Sequence, residues 1–282
     1  MKHVLLVPID FSENAWIAAC YAAELAKKYD WNIQLLHVYQ TFSRLLATQE
    51  FKDAVSVHNI AAAEQDMEAF NTRFRATYPD IDCTAACMEG NLNDIVLALI
   101  EANPIKFLVM GTKGASGLVN VALGSNTYEL IRHSPIGVLA VPASAKSFKL
   151  EKVGFLTNFK ENDVEILKDF IGRTSPSLQV ALLHVNEVNK KPKNEDILFW
   201  QERLMKDIGI NELTYHDYEM VNRLDVNEPI PYAVERLVEE EAVDLLLVSY
   251  TRKSFFRNLF SRSLPKTIAN KLTIPTYFRK DD

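Results

Sequence analysis

Residues 110–127 read MGTKGASGLVNVALGSNT. The stretch follows the apolar run Ile105-Lys-Phe-Leu-Val-Met110 and leads into Tyr128-Glu-Leu-Ile-Arg132, so its context is a strand, a glycine-rich loop and an opening helix. Gly111 and Gly114 can take φ > 0 and let backbone approach a ligand. A helix opening at Gly124-Ser125 then aims N–H donors and a positive dipole end at the same place. Such a place suits a phosphate.

Working outward, short apolar runs at 3–9, 32–39, 81–88, 105–110 and 136–141 alternate with segments of helical period. Ala15, Ala18, Ala22, Leu25, Ala26 and Tyr29 recur at three and four, which predicts one face of a helix. Residues 40–59 have no clean period and read as a variable connection that could carry a short helix. A helix is expected over 60–78, ended by Pro79. Asn91 is a candidate N-cap, followed by a helix with Ile95, Ala98, Leu99 and Ala102 on its apolar side. This alternation implies βαβ crossovers and a mainly parallel sheet, with ligands beyond the carboxyl ends of the strands where the order reverses. Asp10 and Gly111 both follow strands at that edge.

The second half repeats the first. Residues 152–162 parallel 3–14, with Asn158 in the place of Asp10; Leu178 to Val185 parallels Ile33 to Val38; and Asp244-Leu-Leu-Leu-Val-Ser249 parallels the fourth strand. The expected fold is therefore α/β, two tandem doubly wound domains, each a five-stranded mainly parallel sheet flanked by helices. Residues 1–143 form the first and 151–282 a degenerate second. Where the first copy carries its glycines, residues 250–264 read YTRKSFFRNLFSRSL, without one. Arg252, Lys253, Arg257 and Arg262 interleave there with Phe255, Phe256 and Phe260. That pattern fits either an anionic or single-stranded nucleic-acid ligand or, more simply, phenylalanines packed on a neighbouring domain.

Composition narrows the classes. Of 282 residues, 48% are hydrophobic and 24% charged, and no run approaches the roughly 18 apolar residues of a membrane span. The N-terminus lacks the apolar core of a signal peptide, so a cytoplasmic protein is expected. A net charge of −6 argues against a general nucleic-acid binder. Cys20, Cys83 and Cys87 read as buried reduced thiols, and His37 and His184, at matching strand positions, as sheet residues and not metal ligands. Asp10-x-x-Glu13 has capping-box spacing, which offers Asp10 a structural role, and the glycine loop could be a simple connection.

Gly111-x-x-Gly114, nine residues, then Gly124-Ser125, between a strand and a helix, resembles the nucleotide-binding pattern of the ATP-binding universal stress proteins. The opening Val-Leu-Leu-Val-Pro-Ile-Asp10-Phe-Ser is similar to that family's first strand and acidic residue. The resemblance covers nearly the whole chain as a tandem pair, more strongly in 1–142. It places Pro8, Ile9 and Asp10 near the adenine and ribose end and Val38 in the base pocket. Met110 and Gly111 begin the loop. Gly114, Gly124, Ser125 and Asn126 would hold ribose and phosphates, with Lys113 and Thr127 at the rim. Lys113 stands where His or Arg is frequent and Asn126 where a smaller or branched residue is usual, and Lys113 also reads as an exposed loop lysine. The resemblance implies a stress-response regulator binding ATP or another adenine nucleotide, with or without Mg, and an intramolecular pseudo-dimer that could pair into a homodimer. An unidentified protein partner would read its conformation. No catalytic residue and no metal ligand is expected. A slow ATP hydrolase and a ligand-free interaction module are the alternatives.

Overall fold

The computed structural model describes residues 2–40, 49–112, 123–145, 147–159, 161–175, 177–186, 192–219, 222–223, 226–227, 230–250 and 273–280. The chain divides into two compact units, the first Met1–Gly117 with Gly124–Lys146 and the second Leu118–Leu123 with Ser147–Asp282.

The first unit runs β1 (Val4–Pro8), α1 (Glu13–Tyr29), β2 (Asn32–Tyr39), α2 (Gln49–Thr77), β3 (Cys83–Glu89), α3 (Leu92–Ala102), β4 (Ile105–Gly111), α4 (Ser125–His133) and β5 (Val138–Val141). Its five strands lie in the order β3-β2-β1-β4-β5, and every pairing among them is parallel. Leu5, Leu6 and Val7 are fully buried, as a strand covered on both faces requires. Right-handed crossovers put α1 and α2 on one face and α3 and α4 on the other, so the order reverses between β1 and β4.

Alanine makes α1 a close fit: Ala18, Ala19, Ala22 and Ala23 are buried without holding the helix off the sheet. Its N-cap is Ser12, whose Oγ accepts from the Ala15 N–H at 3.1 Å, and not Asp10. Asp10 instead accepts from the Ser12 N–H at 3.1 Å, an Asx turn that sets up the cap. Asn91 caps α3 as expected, its Oδ1 accepting from Asn93 and Asp94. The buried residue of α3 is Val96, while Ala98 and Ala102 are exposed. Six consecutive apolar residues from Ile95 to Ile100, together with Leu92, give this helix no single apolar stripe to read. The connection after β2 is also shorter than the sequence suggests, because α2 begins at Gln49.

The second unit runs β6 (Lys152–Leu156), α5 (Glu161–Arg173), β7 (Gln179–Asn186), α6 (Asn194–Ile208), β8 (Leu213–Glu219), β9 (Asn222–Arg223), β10 (Val226–Asn227), α7 (Ile230–Glu240), β11 (Leu245–Tyr250) and β12 (Thr276–Lys280). Its main strands take the order β12-β11-β6-β7-β8, again all parallel, and β9 and β10 add a short antiparallel ribbon. The fold is thus α/β, with the same doubly wound strand order in both units. Asp169 organises one side of the second unit: it accepts from the buried Tyr277 hydroxyl (2.9 Å), from Arg279 (3.1 Å) and from Arg173 (2.7 Å). Removing only the hydroxyl with Tyr277→Phe should cost about 1 kcal/mol, read from denaturant midpoints at constant m.

Several buried groups resist ionisation. Burial, outweighing the nearby Arg75 guanidinium, pushes the Cys83 thiol up to about 11. Burial and Asp169 raise the Tyr277 phenol further above its usual 10.0. Unfolding frees both to lose protons at their ordinary values, so the unfolded state binds fewer protons and stability falls with pH. The expected loss begins near the ordinary thiol value of 9.0 and steepens above 10.0. Urea titrations at stepped pH should show it, and Cys83→Ala should flatten the first part of the decline.

Candidate functional site

The turn after β1 is built in a strained conformation. Phe11 adopts φ 62°, left-handed for a residue with a side chain, which costs on the order of 1 kcal/mol. Its ring lies 4.3 Å from the His37 ring, and His37 Nδ1–H donates to the Ile9 carbonyl at 2.9 Å. Contact and hydrogen bond together offset the strain and fix where the chain leaves β1. The second unit uses the same device: Phe159 at φ 56°, its ring 5.1 Å from that of His184, and His184 Nδ1–H donating to the Thr157 carbonyl at 2.8 Å. Both histidines therefore act as sheet residues that hold a turn.

The carboxyl end of β4 is held from α1. Asn14, 7% exposed, donates from Nδ2 to the Val141 carbonyl at 3.0 Å, while its Oδ1 accepts from Thr112 Oγ1–H at 3.4 Å. Thr112 N–H also reaches the Val141 carbonyl at 3.0 Å. A Cβ at Gly111 would lie 2.9 Å from Asn14 Cγ and 3.0 Å from its backbone oxygen. Gly111 does not carry a positive φ, so the expectation that it supplies left-handed freedom is corrected: it is a glycine because α1 passes against it.

The start of α4 is tied to the same end of β4. Gly124 N–H donates to the Thr112 carbonyl at 2.6 Å, and Thr127 Oγ1–H donates to the Gly111 carbonyl at 2.9 Å. Thr127 is thereby buried and structural, not at the rim where it was expected. Ser125 and Asn126 are exposed on the first turn, and no side chain caps it. The start of α4 therefore sits beside the carboxyl end of β4.

Register sorts the remaining candidates by face. The pairings Leu6 with Leu108 and Pro8 with Leu36 put Pro8, Val38 and Met110 on one side of the sheet, the side of α3 and α4. Ile9 and Gly111 face α1 and can offer a ligand on the α4 side only backbone. Pro8, Ile9 and Met110 are buried and Val38 half-buried. Lys113 and Gly114 lie outside the described residues, as do the basic and aromatic residues of 251–264. Among the described residues no cluster of acidic, histidine or cysteine side chains has the make-up of a metal site, and no helix is long and apolar enough to cross a membrane. Sequence reasoning missed Asn14 and Thr112. The available signal was an asparagine on a helix face otherwise built of alanine.

The family model described as the universal stress protein family matches residues 1–142. The chain belongs to the universal stress protein family. Among solved structures, a universal stress protein from Archaeoglobus fulgidus is similar over 99% of this chain and 96% of its own, at 17% identity and a TM-score of 0.66. A functionally unknown protein from Pseudomonas aeruginosa aligns over 100% of this chain and 93% of its own, at 12% identity and TM-score 0.54. Likeness at these identities speaks for the fold. A universal stress family protein from Arabidopsis thaliana with AMP bound matches 50% of this chain and 91% of its own, at 19% identity; its TM-score of 0.36 is too low to bear on this chain's ligand. No curated protein matches the chain.

Gly111→Ala is expected to destabilise the first unit by about 1–3 kcal/mol, because the added methyl meets backbone as well as side chain. Asn14→Ala should cost a similar amount through the two buried hydrogen bonds it removes. Thermal and urea unfolding of the purified chain read both.

Proposed function

We propose that the first unit binds ATP or a related adenine nucleotide and that this universal stress protein signals through nucleotide-dependent conformation. The observation that carries the reading is the join between β4 and α4. Gly124 N–H on the Thr112 carbonyl brings an uncapped helix start to the point where the strand order reverses. That is where an α/β sheet takes a phosphate-bearing ligand. In this reading Pro8, Val38 and Met110 line the base on the α4 side, Asp10 accepts from ribose hydroxyls, and Ile9 and Gly111 contribute backbone. Ser125 and Asn126 meet phosphate through main-chain N–H and side chains, and Thr127 acts by holding the helix start. Lys113 and Gly114 complete the loop, Lys113 as a point charge. The second unit, with Ser249 aligned to Gly111 and no glycine in 250–264, binds none. Mg and hydrolysis are secondary: no residue here is assigned as a water-orienting base.

One observation favours the ligand-free alternative. The packing of Gly111 against Asn14 explains that glycine without any ligand. Calorimetry with ATP, ADP, AMP and cyclic nucleotides separates the two readings. Nucleotide binding predicts one site per chain and a raised melting midpoint at saturating ligand. Asp10→Asn keeps the Oδ1 that accepts from Ser12 N–H, so the fold should persist while nucleotide affinity drops about tenfold. No heat and no midpoint shift with any of these nucleotides sinks the proposal.

A further inference from the structure

We infer that Met88 sets the base preference of the site proposed above, favouring a purine over a pyrimidine nucleotide; the inference rests on the reading of that site as a nucleotide site. Among the described residues Met88 is the one large apolar side chain of the first unit that stands exposed, at 37%. The others of that kind, Leu198, Phe199, Met205 and Tyr232, belong to the second unit. β3 pairs in register with β2, Val38 against Met88, so the two side chains emerge on the same face. It is the face of Pro8 and Met110, opposite to the one on which Cys87 Sγ–H donates to the Ala63 carbonyl of α2. Met88 therefore continues the candidate base floor by one strand, at the carboxyl edge of the sheet.

The order of the strands gives the direction in which a nucleotide lies. The start of α4 sits beside β4, Asp10 follows β1, Val38 is near the end of β2 and Met88 near the end of β3, and these strands stand in the order β4, β1, β2, β3. Neighbouring strands are about 4.8 Å apart, so phosphate, ribose and base fall one strand after another. A base on Val38 then turns its far edge toward Met88. A pyrimidine, with its single ring, ends on Val38. A purine carries a second fused ring, and the added length reaches the thioether. Methionine suits the position, because its unbranched chain and polarisable sulfur adapt to the face or edge of an aromatic ring. Ile95 closes the floor beyond it: Gly90 takes φ 146°, and a Cβ there would lie 3.1 Å from Ile95 Cδ1, so α3 starts hard against the end of β3. In the free protein the exposed Met88 side chain packs little, so its loss is felt by the ligand and not by the fold. A base laid over it removes apolar surface from water on both partners.

The test is calorimetry on the full-length chain with ATP, CTP and tripolyphosphate, the last of which has no base. Wild type should bind ATP about tenfold more tightly than CTP. Met88→Ala should weaken ATP binding about tenfold, through the lost apolar and sulfur contact, and leave CTP and tripolyphosphate within about twofold. Met88→Leu, which keeps the volume, should stay within about threefold of wild type for ATP. Thermal melts without ligand should superimpose for all three proteins. A Met88→Ala chain that melts early makes Met88 a packing residue and overturns the inference. Equal weakening of ATP and CTP overturns it too, as does no weakening of either, a Met88→Leu chain as weak as Met88→Ala, or a wild type indifferent to the base; each of these leaves nucleotide binding itself standing. A wild type that binds no nucleotide overturns both the inference and the reading beneath it.

Discussion

The amide of Asn14 holds three elements at one point: α1, which carries it; β5, whose Val141 carbonyl it bonds; and the end of β4, which presses Gly111 against it and reaches it through Thr112. None of the three could shift without stranding a buried polar group, which costs about 1–3 kcal/mol. The start of α4 hangs from the same β4 residues through Gly124 and Thr127. The position of the candidate phosphate site therefore depends on a contact made on the far face of the sheet. A residue buried under α1 sets where a ligand on the α4 side would find its donors.

The two units show which parts of this arrangement travel with the fold and which do not. The left-handed phenylalanine and the histidine on the preceding carbonyl occur in both. The locks that follow differ. In the first unit Asp10 and Ser12 stabilise the turn and cap the helix, both through short local bonds. In the second, Asp163 takes this over from inside α5, accepting from Thr157 Oγ1–H at 2.7 Å and from the Asn158 N–H at 3.1 Å. The same left-handed turn is thus locked from before the helix in one unit and from within it in the other.

Much of the fold was legible because its signals are local. Runs such as Val4 to Val7 and Phe107 to Met110 are too apolar and too short for anything but buried strands, and their spacing requires crossovers. The helix cap was misplaced by two residues because Asp10 and Ser12 both suit the role, and only the Phe11 φ decides between them. The start of α2 was missed because 49–59 mixes charged, β-branched and aromatic residues without a stripe. The apolar face of α3 was misread for the opposite reason, an excess of apolar residues. The glycine pattern put Gly111 at the end of β4 and Gly124 before α4, but the reason for Gly111 lies in a contact with Asn14, 97 positions earlier. No local period carries that information. Thr127 likewise looked like a rim residue because its carbonyl partner is supplied by the strand and not by its neighbours.

The pairing of Val4 with Ile105 has a consequence in time. β1 is made first, yet its neighbour on the site-forming side lies roughly a hundred residues downstream, and such distant pairings are slow to form. On the ribosome the first strand can join β2 early, but its other edge stays open until β4 has emerged. For that interval the most apolar strand of the unit shows an unpaired edge to its surroundings. The cleft between β1 and β4 therefore closes late, after three strands and three helices have been made, and only β5 and α4 remain to be added.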